Sequence, residues 1–258
     1  MSVAEKPQRA VILSAGQGSR LLPHTRDLPK CLLDLAGRPM LGWQLRALAE
    51  AGIPEAVVVT GFRTDLVEEA LPRLAPPGMR VRTLFNPFYK VADNLGTCWM
   101  ARQELAGAVL VLNGDTLISP AIVARLLEAP PAQITVTIDR KPAYDEDDMK
   151  VVAEDDHLRA IGKKLSQGVN GESIGFLRFS GAGSGRFVAE VERVMRTAEG
   201  TGLWYLSAIH KLAGAGVDVR VASIAGLEWA ELDFPADLAR CREIAGAWAG
   251  GTPFRTPA

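Results

Sequence analysis

A glycine-rich segment near the start of the sequence combines residue types that bind phosphate. Residues 16–20 read Gly-Gln-Gly-Ser-Arg, and Lys30 follows behind Pro29. Glycines let the backbone turn sharply and bring its N–H groups close to phosphate oxygens. Arg20 can add a forked, charge-assisted contact to the same phosphates, and Lys30 can supply a point charge. The segment predicts a phosphorylated ligand, and the alternative is a strand-to-helix turn whose glycines serve geometry alone.

Two common phosphate-binding motifs do not fit this segment. The dinucleotide fingerprint needs a third glycine where position 21 is leucine, and no Gly-Lys-Ser or Gly-Lys-Thr completes a P-loop. A dehydrogenase is therefore disfavoured.

Two later segments carry carboxylates at strand ends. Asp115 follows Gly114 at the end of an apolar run, at the sheet edge where open α/β sheets bind ligands. Glu231 and Asp233 alternate along a short strand, so their side chains point to the same side. Each aspartate alone has a plainer reading, because Asp115 could stabilise a turn and Asp233 could cap the following helix.

Apolar runs that alternate with amphipathic segments predict the elements that must position these groups. Strands are expected at residues 10–15, 56–60, 81–85, 109–112 and 134–138, and helices at 40–51, 65–74, 97–105 and 120–128. This order predicts a doubly wound, mostly parallel, Rossmann-like mixed sheet with helices on both faces. The second half should add strands at 150–153, 158–161, 173–179, 219–224 and 230–233, and helices at 186–197, 204–212 and from Pro235.

We expect one domain over residues 8–250 and a frayed tail at 251–258. Within it we expect two parts, at about 8–140 and 141–250. A net charge of −1 argues against a nucleic-acid partner. No run reaches the ~20 apolar residues of a membrane span, and residues 1–9 lack a signal-peptide core. Three scattered cysteines indicate reduced thiols, so we expect a cytoplasmic protein that makes no membrane contact.

The glycine-rich segment resembles the signature of the sugar-phosphate nucleotidyltransferase superfamily. Residues 13–25 read Leu-Ser-Ala-Gly-Gln-Gly-Ser-Arg-Leu-Leu-Pro-His-Thr, and Leu-Pro-Lys follows at 28–30; serine at 14, where alanine is commoner, is the one mild departure. The resemblance implies nucleotide contacts from Leu13, Ala15, Gly16, Gly18 and Ser19. It makes Arg20 and Lys30 catalytic, with Lys30 on the α-phosphate. It also pairs Asp115 with Asp233 as Mg²⁺ ligands, with Glu231 a weaker candidate.

The second half resembles the branch that contains phosphocholine, aminoethylphosphonate and inositol phosphate cytidylyltransferases. The matching patterns are Met-Lys-Val at 149–151, Ile-Gly-Lys at 161–163 and Gly-Glu-Ser-Ile-Gly at 171–175. By this resemblance Lys163 contacts the acceptor's phosphate, and Glu172 touches the acceptor or orders its pocket. The alternative for Lys163 is a solvated strand end. The acidic residues 145–148 are expected to form a solvated loop.

Residues 86–97 occupy the place where the superfamily reads its base. Asn94, Gly96 and Thr97 are candidate base contacts, although Thr97 could equally cap a helix. Aromatic residues that could cage a quaternary ammonium are Tyr89, Trp99, Trp204, Tyr205 and Trp229. We assign Trp204 and Tyr205 to the acceptor site, although single aromatic residues more commonly belong to a core.

The resemblance implies transfer of CMP from CTP to a small phosphorylated or phosphonate acceptor, with release of pyrophosphate and Mg²⁺ as cofactor. Two alternatives remain. One is a sugar-1-phosphate nucleotidyltransferase that uses GTP, UTP or dTTP, and the other is a non-catalytic regulatory homologue. The sequence shows no hexapeptide repeats, so no C-terminal β-helix is expected. A homodimer is compatible with the sequence, which does not indicate the oligomeric state.

Overall fold

The structure is a computed structural model that describes residues 5–250, and the predicted tail at 251–258 lies outside the described residues. The strands of the first half are β1 (Arg9–Ser14), β2 (Asp34–Leu35), β3 (Arg38–Pro39), β4 (Glu55–Thr60), β5 (Arg80–Phe85), β6 (Val109–Asn113) and β7 (Thr116–Leu117). Those of the second half are β8 (Ile134–Asp139), β9 (Lys150–Glu154), β10 (His157–Ile161), β11 (Gly171–Phe179), β12 (Val219–Ser223) and β13 (Ala230–Glu231).

The α-helices are α1 (Met40–Glu50), α2 (Thr64–Leu74), α3 (Asn94–Met100), α4 (Pro120–Glu128), α5 (Gly181–Met195), α6 (Tyr205–Gly214) and α7 (Pro235–Ala249). Short 3₁₀ turns span Ser19–Leu21, Lys30–Leu32 and Gly200–Gly202. None of the helices within residues 5–250 is both long enough and apolar enough to cross a bilayer.

Nine strands form one mixed sheet in the order β5-β4-β1-β6-β11-β8-β12-β10-β9. The strands β5, β4, β1 and β6 are parallel, as predicted for the first half. Strand β11 lies antiparallel between β6 and β8, and β10 is antiparallel to both of its neighbours. The sheet is thus more evenly mixed than the mostly parallel one expected. Part of the reason is local: β9 and β10 form an antiparallel hairpin through Asp155 and Asp156, both of which have positive φ.

Helices cover both faces of the sheet, as predicted, because the sheet strands are apolar on both sides. In β1, Val11 packs into a core shared with α3, α5 and α6, whereas Ala10 and Ile12 pack into a second core with α1, α2 and α4. Each fully buried aliphatic side chain contributes about 1.5–3 kcal/mol relative to an exposed one. These two cores hold the ends of β1 and β6 rigidly beside each other.

Two helices begin earlier than the sequence predicts, because polar side chains cap them. The Asp93 carboxylate accepts a hydrogen bond from Asn94 N, so α3 begins at Asn94 and ends at Met100, not at residue 105. The Ser180 hydroxyl accepts from Gly183 N, and α5 begins at Gly181 although its first turn is rich in glycine. Helix α4 has the predicted Ser119 cap and Pro120 start.

A small side sheet brings the C-terminal carboxylates to the main sheet. Strand β13 pairs with β7, with Glu231 opposite Thr116, and Leu232 N donates to Asp115 O at 3.0 Å. A third apolar core, which includes Leu238 and Ile244 of α7, packs this unit against β2 and α1. Residues more than a hundred positions apart in sequence therefore meet at the C-terminal edge of β6.

Candidate active site

The glycine-rich segment leaves β1 as a loop that is tied back by its own side chains. Gly18 has φ 75° and so adopts the left-handed conformation that glycine accepts without strain. The Thr25 hydroxyl donates to Gly18 O at 2.7 Å, and Gln17 Nε2 donates to Thr25 O at 3.2 Å. A Cβ at Gly18 would lie 3.1 Å from Lys30 Cβ, so glycine also gives Lys30 room beside the loop.

A cavity of about 250 Å³ opens between this loop and the ends of β1 and β6. It is lined by Leu13, Ser14, Ala15, Gly16, Gly18, Lys30, Cys31, Tyr89, Ala92, Asp93, Asn94, Thr97, Asn113, Gly114 and Asp115. We call it the nucleotide cavity. Of the predicted nucleotide contacts, Ser19 and Gly96 do not line it. A Cβ at Gly96 would lie 2.7 Å from Ala92 Cβ, so this glycine serves close packing of the chain.

Gly16 supplies open space in the nucleotide cavity, since no protein atom lies within 4 Å of where its Cβ would be. Gly16→Ala is therefore expected to leave the free energy of unfolding within about 0.5 kcal/mol of the wild-type value. It should weaken CTP binding roughly 10-fold, because the added methyl would take space that a bound phosphate needs, and such overpacking costs about 1–3 kcal/mol. Calorimetric titration with CTP and thermal unfolding measure the two effects.

The matched control is Gly185→Ala, which also adds a methyl where no atom lies within 4 Å, on an exposed face of α5. It should bind CTP with unchanged affinity. Equal CTP affinity in Gly16→Ala and wild type would show that phosphate does not approach this loop.

Lys30 lies between the two predicted metal carboxylates. Its Nζ is 2.9 Å from Asp115 Oδ2 and 2.7 Å from Asp233 Oδ1, and Arg20 reaches Asp233 at 3.4 Å. Burial alone would lower the pKa of Lys30, but both carboxylates raise it well above its ordinary value. Burial would raise the pKa of Asp233, but the positive charges of Lys30, Arg20 and Lys163 lower it. Lys30 and Asp233 are therefore both charged at neutral pH.

The helix-capping alternative for Asp233 does not hold. Asp237 provides the cap of α7, because its Oδ2 accepts from Asp233 N at 2.9 Å and from Phe234 N at 2.7 Å. The Asp233 side chain is left to face Lys30.

The carboxylate pair fits a magnesium ion. Asp115 Oδ1 is buried and has no hydrogen-bond partner among residues 5–250, so one oxygen is available for a ligand. Within residues 5–250 no group of three or more His, Cys, Asp or Glu side chains is arranged around one metal position. Mg²⁺ needs only one or two carboxylates, because it retains waters and takes substrate phosphate oxygens. Asp115 and Asp233 could hold it together with a bound nucleotide.

A second cavity of about 240 Å³ adjoins the first and shares Asp93, Asn94, Asn113 and Asp115 with it. Its other lining residues are Arg20, Asp147, Met149, Lys163, Ser173, Gly175, Trp204, Leu206, Glu231 and Asp233. We call it the acceptor cavity. Two of the predicted acceptor contacts, Lys163 and Trp204, line it. Tyr205 does not, because it is fully buried in the core, with its ring centroid 6.3 Å from that of Phe187.

Residues 10–172 match the model of the MobA-like NTP transferase domain. The chain belongs to this family of NTP transferases. The match covers more than half of the sequence and confirms the predicted nucleotidyltransferase family.

The names of two relatives of this NTP transferase specify CMP or CTP. It is 32% identical over 238 residues to the CMP-5'-(3-aminopropyl)phosphonate synthase of Streptomyces rubellomurinus, covering 90% of this chain and 38% of that protein. It is 23% identical over 253 residues to the CTP:phosphoglutamine cytidylyltransferase of Campylobacter jejuni, covering 89% of this chain and 97% of that protein. The chain thus spans well under half the length of the first of these proteins.

Two solved structures share the transferase fold over nearly the whole chain. The inositol-1-phosphate CTP transferase from T. maritima superposes with a TM-score of 0.78 at 18% identity, covering 93% of this chain and 98% of its own. The CTP:phosphocholine cytidylyltransferase from Streptococcus pneumoniae superposes with a TM-score of 0.74 at 20% identity, covering 92% and 98%. At these identities the likeness establishes the fold.

Two of the residues predicted to contact the base, Asn94 and Thr97, use part of their hydrogen-bonding capacity within the protein. Asn94 Oδ1 accepts from Tyr205 N at 2.8 Å, which leaves the amide N–H groups of Asn94 for a ligand. Asn86 Nδ2 donates to the Thr97 hydroxyl oxygen at 3.2 Å, which leaves the hydroxyl proton of Thr97. Sequence reasoning did not single out Asn113, which lines both cavities; its place just before Gly114-Asp115 at the end of β6 was the available signal.

Glu172 does not line the acceptor cavity, although the neighbouring Ser173 does. Its carboxylate pairs at 2.8 Å with Lys141, which also pairs at 2.8 Å with Asp148. These contacts fix the acidic residues 145–148 beside the cavity, so the structure favours an ordering role for Glu172 over direct contact. Burial raises the pKa of Glu172 to about 7, even though the Lys141 charge opposes this.

The raised pKa of Glu172 predicts a pH-dependent stability. Between the ordinary value of 4.5 and about 7 the folded protein holds a proton on Glu172 that the unfolded chain has released. The free energy of unfolding should therefore fall as pH rises through this window, by on the order of 2 kcal/mol from this group. In Glu172→Gln this loss should disappear, as measured by urea unfolding across the window. The control Glu154→Gln, at the exposed end of β9, should show the wild-type change of unfolding free energy with pH. The same change in Glu172→Gln would contradict the raised pKa of Glu172.

Proposed function

We propose that this NTP transferase moves CMP from CTP to a small phosphorylated or phosphonate acceptor and releases pyrophosphate, with Mg²⁺ as cofactor. The observation that carries the proposal is the position of Lys30 and its two carboxylates. Asp115 lines both cavities, Lys30 lines the nucleotide cavity, and Asp233 lines the acceptor cavity. A nucleotide and an acceptor bound in the two cavities would thus meet at the charged cluster.

The choice of cytidine and of the acceptor class rests on the relatives. The names of the two sequence relatives specify a CMP-phosphonate product and CTP with phosphoglutamine. Lys163, a cation that could pair with the anionic group of such an acceptor, lines the acceptor cavity of this chain. We propose that residues 8–140 supply most of the nucleotide site and residues 141–250 most of the acceptor site.

The reaction would be an in-line attack by an acceptor phosphate or phosphonate oxygen on the α-phosphorus of CTP. Such an oxygen is already anionic near neutral pH, so no side chain has to remove a proton. The chain's contribution is to align the two phosphates and to stabilise negative charge that develops at the α-phosphate. Lys30 would place its ammonium on the α-phosphate oxygens, and Arg20 would contact the leaving pyrophosphate. Mg²⁺, held by Asp115 and Asp233, would supply further neutralisation of phosphate charge.

Pyrophosphate release tests the proposal. CTP, UTP, GTP, ATP and dTTP are each combined with phosphocholine, phosphoethanolamine, aminoethylphosphonate, inositol 1-phosphate and several sugar 1-phosphates in the presence of Mg²⁺. We expect turnover with CTP and at least one alcohol phosphate or phosphonate. Turnover confined to a sugar 1-phosphate with another nucleotide would replace the proposal with the sugar-nucleotide alternative. Tight nucleotide binding without turnover by any pair would favour the regulatory homologue.

A further inference from the structure

The side chain of Lys163 is stacked on an aromatic ring inside the acceptor cavity. Its Nζ lies 4.9 Å from the centroid of the Trp204 ring, and its nearest carboxylate oxygen, on Asp147, is 3.7 Å away. Trp204 is 39% exposed, and both residues line the acceptor cavity. The ammonium of Lys163 therefore occupies the face of the Trp204 ring on which a cationic ligand would otherwise bind.

A buried lysine, Lys150, forms a hydrogen bond that fixes the backbone of Lys163. Lys150 is 9% exposed, and its Nζ donates to Lys163 O at 2.9 Å, while Gly162 N donates to Lys150 O at 2.9 Å. Burying an ammonium group is costly unless hydrogen bonds offset it. Lys150 is buried and donates to the carbonyl oxygen of Lys163. This contact indicates that the fold holds the Lys163 backbone in one position.

The other aromatic candidates for a cation cage are already engaged. Arg102 lies 4.4 Å from the Trp99 centroid, and Lys90 lies 5.7 Å from the Tyr89 centroid. Trp229 donates its Nε1 proton to Asp139 at 2.9 Å and lines a different cavity, with Asp145 and Glu172. Among the five aromatic residues considered, Trp204 alone lines the acceptor cavity. A quaternary ammonium that sought its covered face would have to displace Lys163, because two cations within a few ångströms repel each other.

We propose that Trp204 is a positioning residue that holds the Lys163 ammonium toward the acceptor's phosphate or phosphonate, and that this stack excludes a quaternary ammonium from the Trp204 face. The inference rests on the proposed function, since it assigns a role within the same acceptor cavity. It sets the substrate class as acceptors recognised through their anionic group, with the Trp204 face serving Lys163 and not a trimethylated amine.

Phosphoethanolamine and phosphocholine test the exclusion, because they share a phosphate and differ in the methylation of the amine. Wild type should show a higher kcat/KM for phosphoethanolamine. Trp204→Ala should raise KM for every accepted acceptor by about 3- to 10-fold, the effect of one cation–π contact, with CTP affinity unchanged. Trp204→Phe should restore most of the loss. A loss in Trp204→Ala that is selective for phosphocholine would overturn the proposal, since it would identify a cage.

A double-mutant cycle separates positioning from a structural role. In a Lys163→Met background, Trp204→Ala should have no further effect on KM, because the group that it positions is gone. Lys164→Met, at the exposed neighbouring lysine, is the matched control and should leave KM unchanged. An undiminished effect of Trp204→Ala in the Lys163→Met background would contradict the proposal.

The stack can be detected without turnover. After reductive methylation with labelled formaldehyde, the dimethyl-lysine resonance that is absent from Lys163→Arg should be shifted upfield in wild type by the Trp204 ring current. It should return to the usual position in Trp204→Ala. If the resonance is shifted but the protein turns over no acceptor, the proposed function is refuted while the contact between Lys163 and Trp204 is supported. An unshifted resonance in an active enzyme would refute the stack alone.

Discussion

Lys30→Met is expected to reduce kcat by on the order of 10³-fold or more, with the fold intact. Methionine keeps the apolar stem of lysine but removes the ammonium that lies between Asp115 and Asp233. Removing one preorganised charge-stabilising group from an active site typically costs about 10²–10³-fold in kcat. This loss should be larger, because the two carboxylates would also repel the incoming phosphates. Steady-state pyrophosphate release with saturating CTP measures kcat.

The control for charge removal is Lys211→Met, at an exposed lysine near the end of α6. It should retain wild-type kcat. Circular dichroism and thermal unfolding verify that both variants are folded. A folded Lys30→Met that retains near-normal kcat would remove Lys30 from the mechanism.

Asp115→Asn and Asp233→Asn are each expected to lower turnover by about 10²–10³-fold and to raise the Mg²⁺ concentration needed for half-maximal rate. Removing a group that only hydrogen-bonds to a metal ligand weakens metal binding about 10- to 100-fold. Removing a ligand itself should therefore weaken Mg²⁺ binding by at least this factor. In Asp115→Asn the buried Oδ1, which has no partner in the protein, would no longer carry charge. Binding of Mn²⁺ in the presence of CTP, followed by water-proton relaxation, reports the metal without turnover.

Asp156→Asn is the matched control, at an exposed turn position with φ 61° that asparagine also tolerates. Its Mn²⁺ affinity and turnover should equal those of wild type. Wild-type Mn²⁺ affinity in both Asp115→Asn and Asp233→Asn would place the metal elsewhere.

The sequence predicts the nucleotide side of this site well for a physical reason. Gly16, Gly18 and Asp115 follow apolar strands directly, so the strand fixes where each residue must lie. Parallel strands β1 and β6 then bring their C-terminal ends together, as ligand-binding edges of open α/β sheets do. The apolar strand pattern and the rule that ligands bind at this sheet edge point to the same place, so together they locate these residues.

The acceptor side depends on contacts between distant residues, which no local pattern encodes. The stack of Lys163 on Trp204 and the pairing of Glu172 with Lys141 join separate elements. Tyr205 shows the limit most clearly, because neighbouring Trp204 and Tyr205 are equally aromatic, yet one lines the cavity and the other is buried. Helix α6 begins between them, and the direction of its axis decides which ring faces the core.

The fate of the α-phosphorus of CTP tests the central claim most directly. The enzyme is incubated with Mg²⁺, aminoethylphosphonate or phosphoethanolamine, and CTP labelled either at the α- or at the γ-phosphorus. We predict that the α-label appears in a product that also contains the acceptor, while the γ-label appears in pyrophosphate. Label that leaves CTP only as CMP or CDP, in a protein that binds CTP and with every acceptor of the panel, would contradict the account.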